Sequence, residues 1–328
     1  MFTLTIWSLI AIALLVRTRS DADLSEAERR TAPLVSTDPD VSFTESTCFR
    51  NFFLMKNPPR NLEIATTSNI SYICQRRDTT SHQYASLFDT AAGIPVYSGY
   101  VISRPQGLRI GTHKRLSVSW EKTPGIGPPG IEYLYSGSSA ADIQRGHLNP
   151  WQINTYNEIY MKATFIYTNC VPQCGRSFNS GSWMAFEERI AAYTKNRCAN
   201  QTGGTMYLVT GQSHYGIRVR SDGSLAQVPT PIQYFPAAGS ASTVHVVQPN
   251  SLWTAGCCVT ISTTTGAITT AESIAVIGNN DRNSSCTLTG RVDLRDLERL
   301  IVSNTSTPAN IFPGFPDGCR NNSYSANL

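Results

Sequence analysis

The sequence predicts a single α+β domain, because strand-like runs and helical patterns succeed one another along the chain without internal repeats. Residues 94–103 are rich in β-branched and aromatic side chains, which favours a buried strand. Residues 180–196 place apolar side chains at helical spacing, and residues 216–278 alternate between strand-like runs and turn residues. The 328 residues are enough to form one large hydrophobic core.

The N-terminus predicts export. Residues 2–16 form an uncharged apolar run that is short for a membrane span and of the right length for the core of a signal peptide. We therefore predict a signal peptide over residues 1–22, cleaved near residues 20–22, and a secreted chain with no stable membrane association after cleavage. A buried N-terminal helix and a membrane anchor are the alternatives. Residues 23–47 are polar and predict a flexible leader, which places the folded domain at residues 48–328.

The cysteines and glycosylation signals agree with an oxidising, extracellular environment. The chain has nine cysteines, and five Asn-X-Ser/Thr sequons begin at Asn69, Asn200, Asn283, Asn304 and Asn321. An odd number of cysteines leaves at least one thiol unpaired or intermolecular. We expect Cys48 to pair with Cys74, because both lie in the same N-terminal segment. Cys170 and Cys174 have no histidine nearby in sequence, which predicts a disulfide or free thiols rather than zinc.

The first half of the predicted domain contains a strand, its expected neighbour and a loop. The strand over residues 94–103 has its proline at the start, where a strand tolerates one. Residues 116–120 alternate in polarity and are expected to pair with that strand. Residues 123–130 are rich in proline and glycine and predict a loop.

The second half is predicted to begin with the best-defined part of the chain. Residues 164–168 favour a strand, and residues 180–196 follow as an amphipathic helix. Residues 206–210 predict another strand, and residues 292–302 a short amphipathic helix near the end of the domain.

Residues 142–150 carry the candidate chemistry. His147 can accept a proton from water near neutral pH, and Arg145 can bind a phosphate through two parallel hydrogen bonds. Side chains two residues apart in an extended segment point the same way, so both are expected to face one site. If the tripeptide Arg145-Gly146-His147 is considered without the rest of the chain, the alternative is a surface loop that carries these charges incidentally. The formal net charge of +4 permits an anionic partner without requiring one.

Three spaced segments resemble the DNA/RNA non-specific endonuclease family. Residues 144–147 read Gln-Arg-Gly-His, residues 168–173 read Thr-Asn-Cys-Val-Pro-Gln, and residues 179–187 follow the pattern Asn-X-Gly-X-Trp-X-X-X-Glu. The one departure is Gln144, where the family has aspartate. The resemblance implies a ββα-metal finger on a central, mainly antiparallel sheet flanked by helices. It extends over residues 48–319, where it is nearest to animal endonuclease domain-containing 1-like proteins.

The resemblance implies a role for each matched residue. His147 would deprotonate the attacking water, and Arg145 would stabilise charge on the phosphate. Asn179 would be the one direct protein ligand of Mg²⁺, with Mn²⁺ or Ca²⁺ as substitutes, because a hard cation that keeps most of its waters needs few protein ligands. Glu187 would hold waters around the metal, and Asn169 would orient the site.

Helix geometry agrees with an indirect role for Glu187. A residue eight positions after Asn179 lies about 80° round a helix and about 12 Å along it. This separation disfavours direct coordination and favours contact through water. The alternative is a nearby arginine partner that makes Glu187 purely structural. For Gln173 we prefer a role in shaping the loop between strand and helix through backbone hydrogen bonds.

A run of basic residues is the candidate substrate surface: Arg104, Arg109, Lys114 and Arg115. Such a run can follow a phosphate backbone, and it can equally be an ordinary solvated face. Both readings remain open from the sequence.

Two functions follow from these residues. The first is a secreted, Mg²⁺-dependent endonuclease that hydrolyses DNA and RNA to 5′-phosphate and 3′-hydroxyl ends. The alternative is a catalytically weakened nuclease-like domain that binds nucleic acid or protein, and Gln144 is the feature that keeps it open. A structural or glycan-binding protein has no sequence feature in its favour.

Overall fold

A large antiparallel sheet forms the centre of the protein in this computed structural model. The structure describes residues 38–63, 69–136, 142–237, 240, 242, 244–281, 289–303 and 306–324. The strands in these ranges are β1 (Asp40–Ser42), β2 (Ile70–Arg76), β3 (His82–Asp89), β4 (Ile94–Ile102), β5 (Ile143–His147), β6 (Cys170–Cys174), β7 (Thr205–Ser213), β8 (Gly216–Val219), β9 (Leu225–Val228), β10 (Gln233–Phe235), β11 (Val246–Gln248), β12 (Ser251–Ile261), β13 (Ile268–Asn279) and β14 (Thr289–Arg291).

The helices of the described residues are short, except for one of three turns. They are α1 (Thr47–Arg50), α2 (Arg104–Leu108), α3 (Ile131–Leu134), α4 (Glu158–Ala163), α5 (Trp183–Tyr193), α6 (Leu294–Leu300) and α7 (Pro316–Asn321). Wide π-type segments precede and follow α5, at Gly175–Ser182 and Thr194–Gln201. The helix predicted over residues 180–196 is therefore confirmed as α5, and the helix predicted over residues 292–302 is confirmed as α6.

The central sheet has the strand order β1-β2-β3-β4-β7-β12-β13-β14, and every neighbouring pair is antiparallel. Three two-stranded sheets, β5-β6, β8-β9 and β10-β11, accompany it. Because the sheet is antiparallel and helices lie beside it, the α+β class predicted from the sequence is confirmed.

Both faces of the sheet are covered by hydrophobic cores, as the alternation of strand side chains requires. On β12, Leu252 points into one core and Trp253 into the other. The first core also contains Ile143 of β5 and Ile190 of α5, so the site-bearing unit packs on that face. The second contains Leu297 of α6. The site is therefore supported by the centre of the sheet.

Two predicted strands are wrong. Residues 116–120 form no regular structure and do not pair with β4. Residues 164–168 are not a strand either, because the chain makes a 3-10 turn at Tyr167–Asn169 and the strand begins only at Cys170. Glu121, the residue after the first segment, instead forms one parallel bridge with Ile166 of the second. The apolar pattern of residues 164–168 arises from burial against the core rather than from strand pairing.

The flexible leader predicted for residues 23–47 is wrong where the structure describes it. Strand β1 pairs with β2 at the edge of the central sheet, and Arg76 holds Asp40 at 2.9 Å. Ser46 caps α1 by accepting a hydrogen bond from the Phe49 backbone N–H at 3.1 Å. The ordered domain therefore begins before Cys48. The predicted signal peptide and the rest of the leader lie outside the described residues.

Three disulfides link the described part of the chain. The predicted pair Cys48–Cys74 is confirmed, and the others are Cys198–Cys258 and Cys257–Cys319. Cys170 is a buried thiol that is not bonded to Cys174. Of the two predicted alternatives, a disulfide or a free thiol, the structure therefore has the thiol at this residue. Within the described ranges, no helix has the length and apolar character that a membrane crossing requires.

Candidate active site

A ββα unit carries the candidate residues. Strands β5 and β6 are antiparallel, with Arg145 opposite Pro172 and His147 opposite Cys170, and the chain continues through the π-type segment into α5. Arg145 and His147 line the same cleft, as their spacing in an extended strand predicts. The ββα finger implied by the resemblance is therefore present.

Gly146 lies between these two residues because a side chain would not fit there. A Cβ atom at Gly146 would stand 1.9 Å from the amide carbon of Gln173, which lies against it from β6. The Gln173 amide also reaches the His147 carbonyl oxygen at 3.5 Å. Gln173 thus packs against the strand that bears the histidine, which agrees with the structural role predicted for it.

Gly146→Ala is therefore expected to destabilise the protein by about 1–3 kcal/mol, since the added methyl overpacks a buried contact. Thermal unfolding monitored by circular dichroism measures the loss as a lower Tm. Gly290→Ala is the matched control, because a Cβ at that strand glycine meets nothing within 4 Å. Equal Tm values for the two variants would contradict this account of Gly146.

The candidate residues meet in a cleft of about 390 Å³. Its walls come from β5, the π-type segment before α5, the first two turns of α5 and two further segments. They are formed by Arg115, Trp120, Gln144, Arg145, His147, Trp151, Gln152, Asn179, Ser180, Met184 and Glu187. The three spaced sequence motifs contribute to it unequally, because only the first and third place side chains in the cleft.

His147 is buried among aromatic rings. Its ring centroid lies 4.6 Å from that of Trp120 and 4.7 Å from that of Phe165. Burial lowers the pKa of His147 to about 3, and the positive charges of Arg115 and Arg145 act in the same direction. The ring is therefore neutral at physiological pH, which is the state a general base needs.

Gln144 holds the candidate metal ligand in place. Its Oε1 accepts a hydrogen bond from Asn179 Nδ2 at 2.8 Å and another from Ser180 Oγ at 3.0 Å. The amide nitrogen of Asn179 is thereby tied to β5, which orients Oδ1 of the same amide away from that contact. No described residue donates a hydrogen bond to this Oδ1. The side chain that departs from the family pattern thus retains a defined function as an acceptor.

Glu187 is a buried carboxylate on α5 that lines the cleft, with 9% of its surface exposed. Among the residues that the structure describes, it has no ion-pair partner, so the structural arginine considered as an alternative is not found. Burial raises the pKa of Glu187 to about 8, while the polar groups of Trp183 and Gln152 lower it by less. An uncompensated buried carboxylate facing a cleft is a position that favours a cation.

Asn169 does not line the cleft, so any part it takes in the site is that of orienting other residues. It is fully buried, and its Oδ1 accepts from Ser98 Oγ at 2.9 Å and from the Asn149 backbone N–H at 2.8 Å. Its Nδ2 donates to the carbonyl oxygens of Asn149 and Thr164. Two of these four contacts fix the chain just after His147, at Asn149, and the others tie it to β4 and to residue 164, which makes Asn169 a positioning residue.

Only one member of the predicted basic surface lines the cleft. Arg115 does so, with its guanidinium 5.3 Å above the ring of Trp151. Arg104 instead donates to the Ala199 carbonyl oxygen at 3.4 Å. Arg109 and Lys114 are exposed and contribute nothing to the cleft walls. Arg104, Arg109 and Lys114 therefore lie on an exposed face, which was the alternative to a substrate surface.

Sequence reasoning missed several cleft residues. Trp120, Trp151, Gln152 and Met184 carry no motif of their own, and Ser180 stands at a variable position of the third motif. Trp151 does follow the Arg-Gly-His segment closely, but proximity in sequence did not indicate which way its ring would point. These residues reach the cleft only because segments that are distant in sequence meet in the fold.

The donor set suits a hard divalent cation. Within the described ranges, no group of three His, Cys, Asp or Glu side chains could hold a metal ion. The free Oδ1 of Asn179 and the carboxylate of Glu187 nevertheless line the same cleft, and both are oxygen donors of the kind that Mg²⁺ prefers. The residues present therefore fit a metal held by few protein ligands.

Comparisons with known proteins identify the family. The crystal structure of the EndoG/EndoGI complex superposes with a TM-score of 0.47 at 16% identity, covering 67% of this chain and 81% of that chain. No curated protein matches the sequence. The family described as DNA/RNA non-specific endonuclease matches residues 63–300, which is most of the chain and includes the whole ββα unit. The chain therefore belongs to the DNA/RNA non-specific endonuclease family, a family of nuclease hydrolases.

Proposed function

We propose that this protein is a secreted, Mg²⁺-dependent endonuclease that hydrolyses both DNA and RNA to 5′-phosphate and 3′-hydroxyl ends. The observation that carries the proposal is the meeting of His147, Arg145, Asn179 and Glu187 in one cleft of the ββα unit. These four residues supply a base, a phosphate ligand and two oxygen donors, and phosphodiester hydrolysis uses all three functions.

Arg145 and Arg115 are proposed to bind the scissile phosphate. Both line the cleft, and both carry positive charges that act on His147. A phosphodiester between them neutralises part of that charge, so the imidazole becomes a stronger base when substrate is bound. His147 then takes a proton from the attacking water at one ring nitrogen. The arginines that bind the substrate thereby also activate the base.

Asn179 and Glu187 are proposed to hold the divalent metal, with Asn179 Oδ1 as the direct ligand and Glu187 acting through water. When bound, Mg²⁺ supplies positive charge that stabilises the leaving 3′-oxygen. Gln144 keeps the Asn179 amide oriented, and Glu187 balances the charge of the cation from the floor of the cleft. Mn²⁺ or Ca²⁺ are the substitutes that the same oxygen donors would accept.

The hydrogen bonds of Gln144 favour an active enzyme over a weakened nucleic-acid-binding domain. An aspartate at this position would be shorter and charged, yet the acceptor role toward Asn179 and Ser180 needs only an oxygen atom. The carboxamide fills that role. The residues proposed as base, phosphate ligand and oxygen donors line the same cleft as Gln144, which supports this choice.

Secretion is proposed from the apolar N-terminal run, and two further observations support it. The three disulfides suit an oxidising compartment. Two sequon asparagines, Asn200 and Asn321, are exposed where a glycan could attach. The nearer similarity to animal endonuclease domain-containing 1-like proteins stays a prediction.

Cleavage of plasmid DNA and of RNA by the purified protein tests the function. Each substrate is incubated with Mg²⁺ or with EDTA, beside His147→Ala purified in parallel to detect contaminating nuclease. We expect both substrates to be cut only with Mg²⁺ and the wild-type chain. Intact substrates in the Mg²⁺ lanes, with retained binding in a gel-shift assay, would instead establish a binding domain.

A further inference from the structure

Trp120 contacts both the proposed base and the proposed phosphate ligand. Its indole ring is 4.6 Å from the ring of His147, centroid to centroid, and the guanidinium carbon of Arg145 stands 5.8 Å from the same indole. Arg145 and His147 are two residues apart on β5, so one side chain contacts both neighbours on that face of the strand. Trp120 is partly buried and lines the cleft.

His147 makes no side-chain hydrogen bond that could orient its ring. Its Nε2 is buried without a partner, and no residue in the described ranges pairs with the other ring nitrogen. Catalytic histidines are usually held by a carboxylate or carbonyl on the ring nitrogen that does not react. In this protein the imidazole ring packs against two aromatic rings instead. The plane of the imidazole is tilted by 49° to the plane of Trp120 and stands edge-on to Phe165 at 87°.

Arg145 is held in a comparable way. The face of an indole attracts a guanidinium within about 6 Å. The only hydrogen bond of the Arg145 side chain to a described residue is a long one of 3.4 Å, from Nη1 to the hydroxyl of Tyr167. The ring of Tyr167 itself lies 5.8 Å from Trp120. The indole is therefore the central element in the support of this arginine.

The backbone around Trp120 is firmly anchored although its segment has no regular structure. Glu121 donates its N–H to the Phe165 carbonyl oxygen at 3.0 Å, and its own carbonyl oxygen accepts from the Tyr167 N–H at 2.9 Å. These bonds attach the indole to the segment that leads into β6. Trp120 is thus fixed to the segment before β6 while it contacts side chains of β5.

We infer that Trp120 is a positioning residue that sets the orientation of His147 and the distance from His147 to Arg145. The inference rests on the proposed function, since it concerns the base and the phosphate ligand of that reaction. Its physical basis is that a displacement of about 1 Å between reacting groups can lower a rate about 100-fold. Trp120 acts through the two side chains and needs no contact with substrate.

Three variants separate the contributions of the indole. Trp120→Ala removes both contacts, and we expect kcat to fall about 100-fold with a smaller change in KM. Trp120→Leu fills space without an aromatic face and should lose nearly as much. Trp120→Phe keeps an aromatic face toward both neighbours and should lose less than about tenfold. Trp253→Phe is the control for lost stability, because Trp253 is buried in the core on the other face of the sheet.

A second measurement does not depend on activity. The chain has five histidines, so the imidazole signals of His147 can be assigned in nitrogen-15 NMR spectra by comparison with His147→Ala. We expect these signals to shift in Trp120→Leu and to stay near their wild-type positions in Trp120→Phe and Trp253→Phe. If Trp120→Ala fails to fold, the Leu and Phe variants still decide the matter.

The possible outcomes distinguish this inference from the function on which it rests. A wild-type protein that cleaves nothing overturns the proposed function, while the NMR comparison still reports on the placement of His147. A wild-type protein that cleaves, with Trp120→Leu matching it in kcat and in the His147 signals, overturns the inference alone. Losses in Trp120→Leu no larger than those in Trp253→Phe would do the same.

Discussion

Replacing His147 by alanine is expected to lower kcat for phosphodiester cleavage by about 10²- to 10⁴-fold, the range over which a positioned general base contributes. The expected main cause is loss of proton transfer. His147 makes no side-chain hydrogen bond to a described residue, so its removal breaks no polar network. Initial rates on a defined oligonucleotide measure kcat and KM. Residual activity above one tenth of wild type would show that another group is the base.

The same residue predicts an unusual pH dependence. Because burial and two arginines lower the pKa of His147 to about 3, the free enzyme keeps a neutral imidazole as the pH falls from 8 to 5. At saturating Mg²⁺, kcat/KM should therefore show no acid limb near the ordinary histidine pKa of about 6.5.

The pH profile of kcat should differ from that of kcat/KM. Bound phosphate offsets the charges of Arg115 and Arg145 and raises the pKa of His147 in the complex. The acid limb of kcat, which reports on the enzyme–substrate complex, should then lie at higher pH than that of kcat/KM. Coincident limbs near pH 6.5 in both profiles would contradict the proposed electrostatic coupling.

Replacing Asn179 by alanine is expected to weaken Mg²⁺ binding by more than about 100-fold, because it removes the proposed direct ligand. Gln144→Ala should weaken it by about 10- to 100-fold, since Gln144 only orients the ligand. The rise in Tm with Mg²⁺ concentration measures the affinity without requiring activity. Asn51→Ala is the matched control, because that asparagine is exposed and lies outside the cleft. Unchanged Mg²⁺ titration in Asn179→Ala would refute the assignment.

Glu187 adds a pH dependence to this metal binding. Its pKa of about 8 in the metal-free protein means that it is protonated at neutral pH, whereas a cation favours its ionised form. The Mg²⁺ affinity should rise by up to about tenfold per pH unit from about pH 6 to about pH 8 and then level off. Glu187→Gln should remove this dependence, and a wild-type affinity that does not change with pH would exclude linkage to Glu187.

Much of the site could be predicted because it is encoded locally. Arg145 and His147 share a face through the two-residue period of a strand. Asn179 lies in the π-type segment that leads directly into α5, the helix that bears Glu187. The helix over residues 180–196 was found from its apolar spacing. Patterns of this kind need no knowledge of distant neighbours, so the sequence alone is enough to recognise them.

The features that the sequence did not reveal depend on contacts between segments that are distant in sequence. Residues 164–168 look like a strand but meet Glu121 by a single bridge, and that contact is not visible in either segment alone. Asn169 is 71 residues from Ser98, and the motif alone does not reveal the hydrogen bond between them, in which the Asn169 Oδ1 accepts from the Ser98 hydroxyl. Strand β1 forms because its partner β2 presents an open edge, although its own sequence is polar.

The sequence by itself determined the family and the candidate chemical groups, because the residues proposed as base, phosphate ligand and metal ligand are set by residue type and short spacing. The tertiary structure alone decided how those groups are held. Gln144 reaches Asn179 across 35 residues, and Trp120 reaches His147 from a segment without regular structure. Burial at the same place sets the pKa values of His147 and Glu187. These properties depend on desolvation and packing, which arise only when separate segments meet in the folded chain.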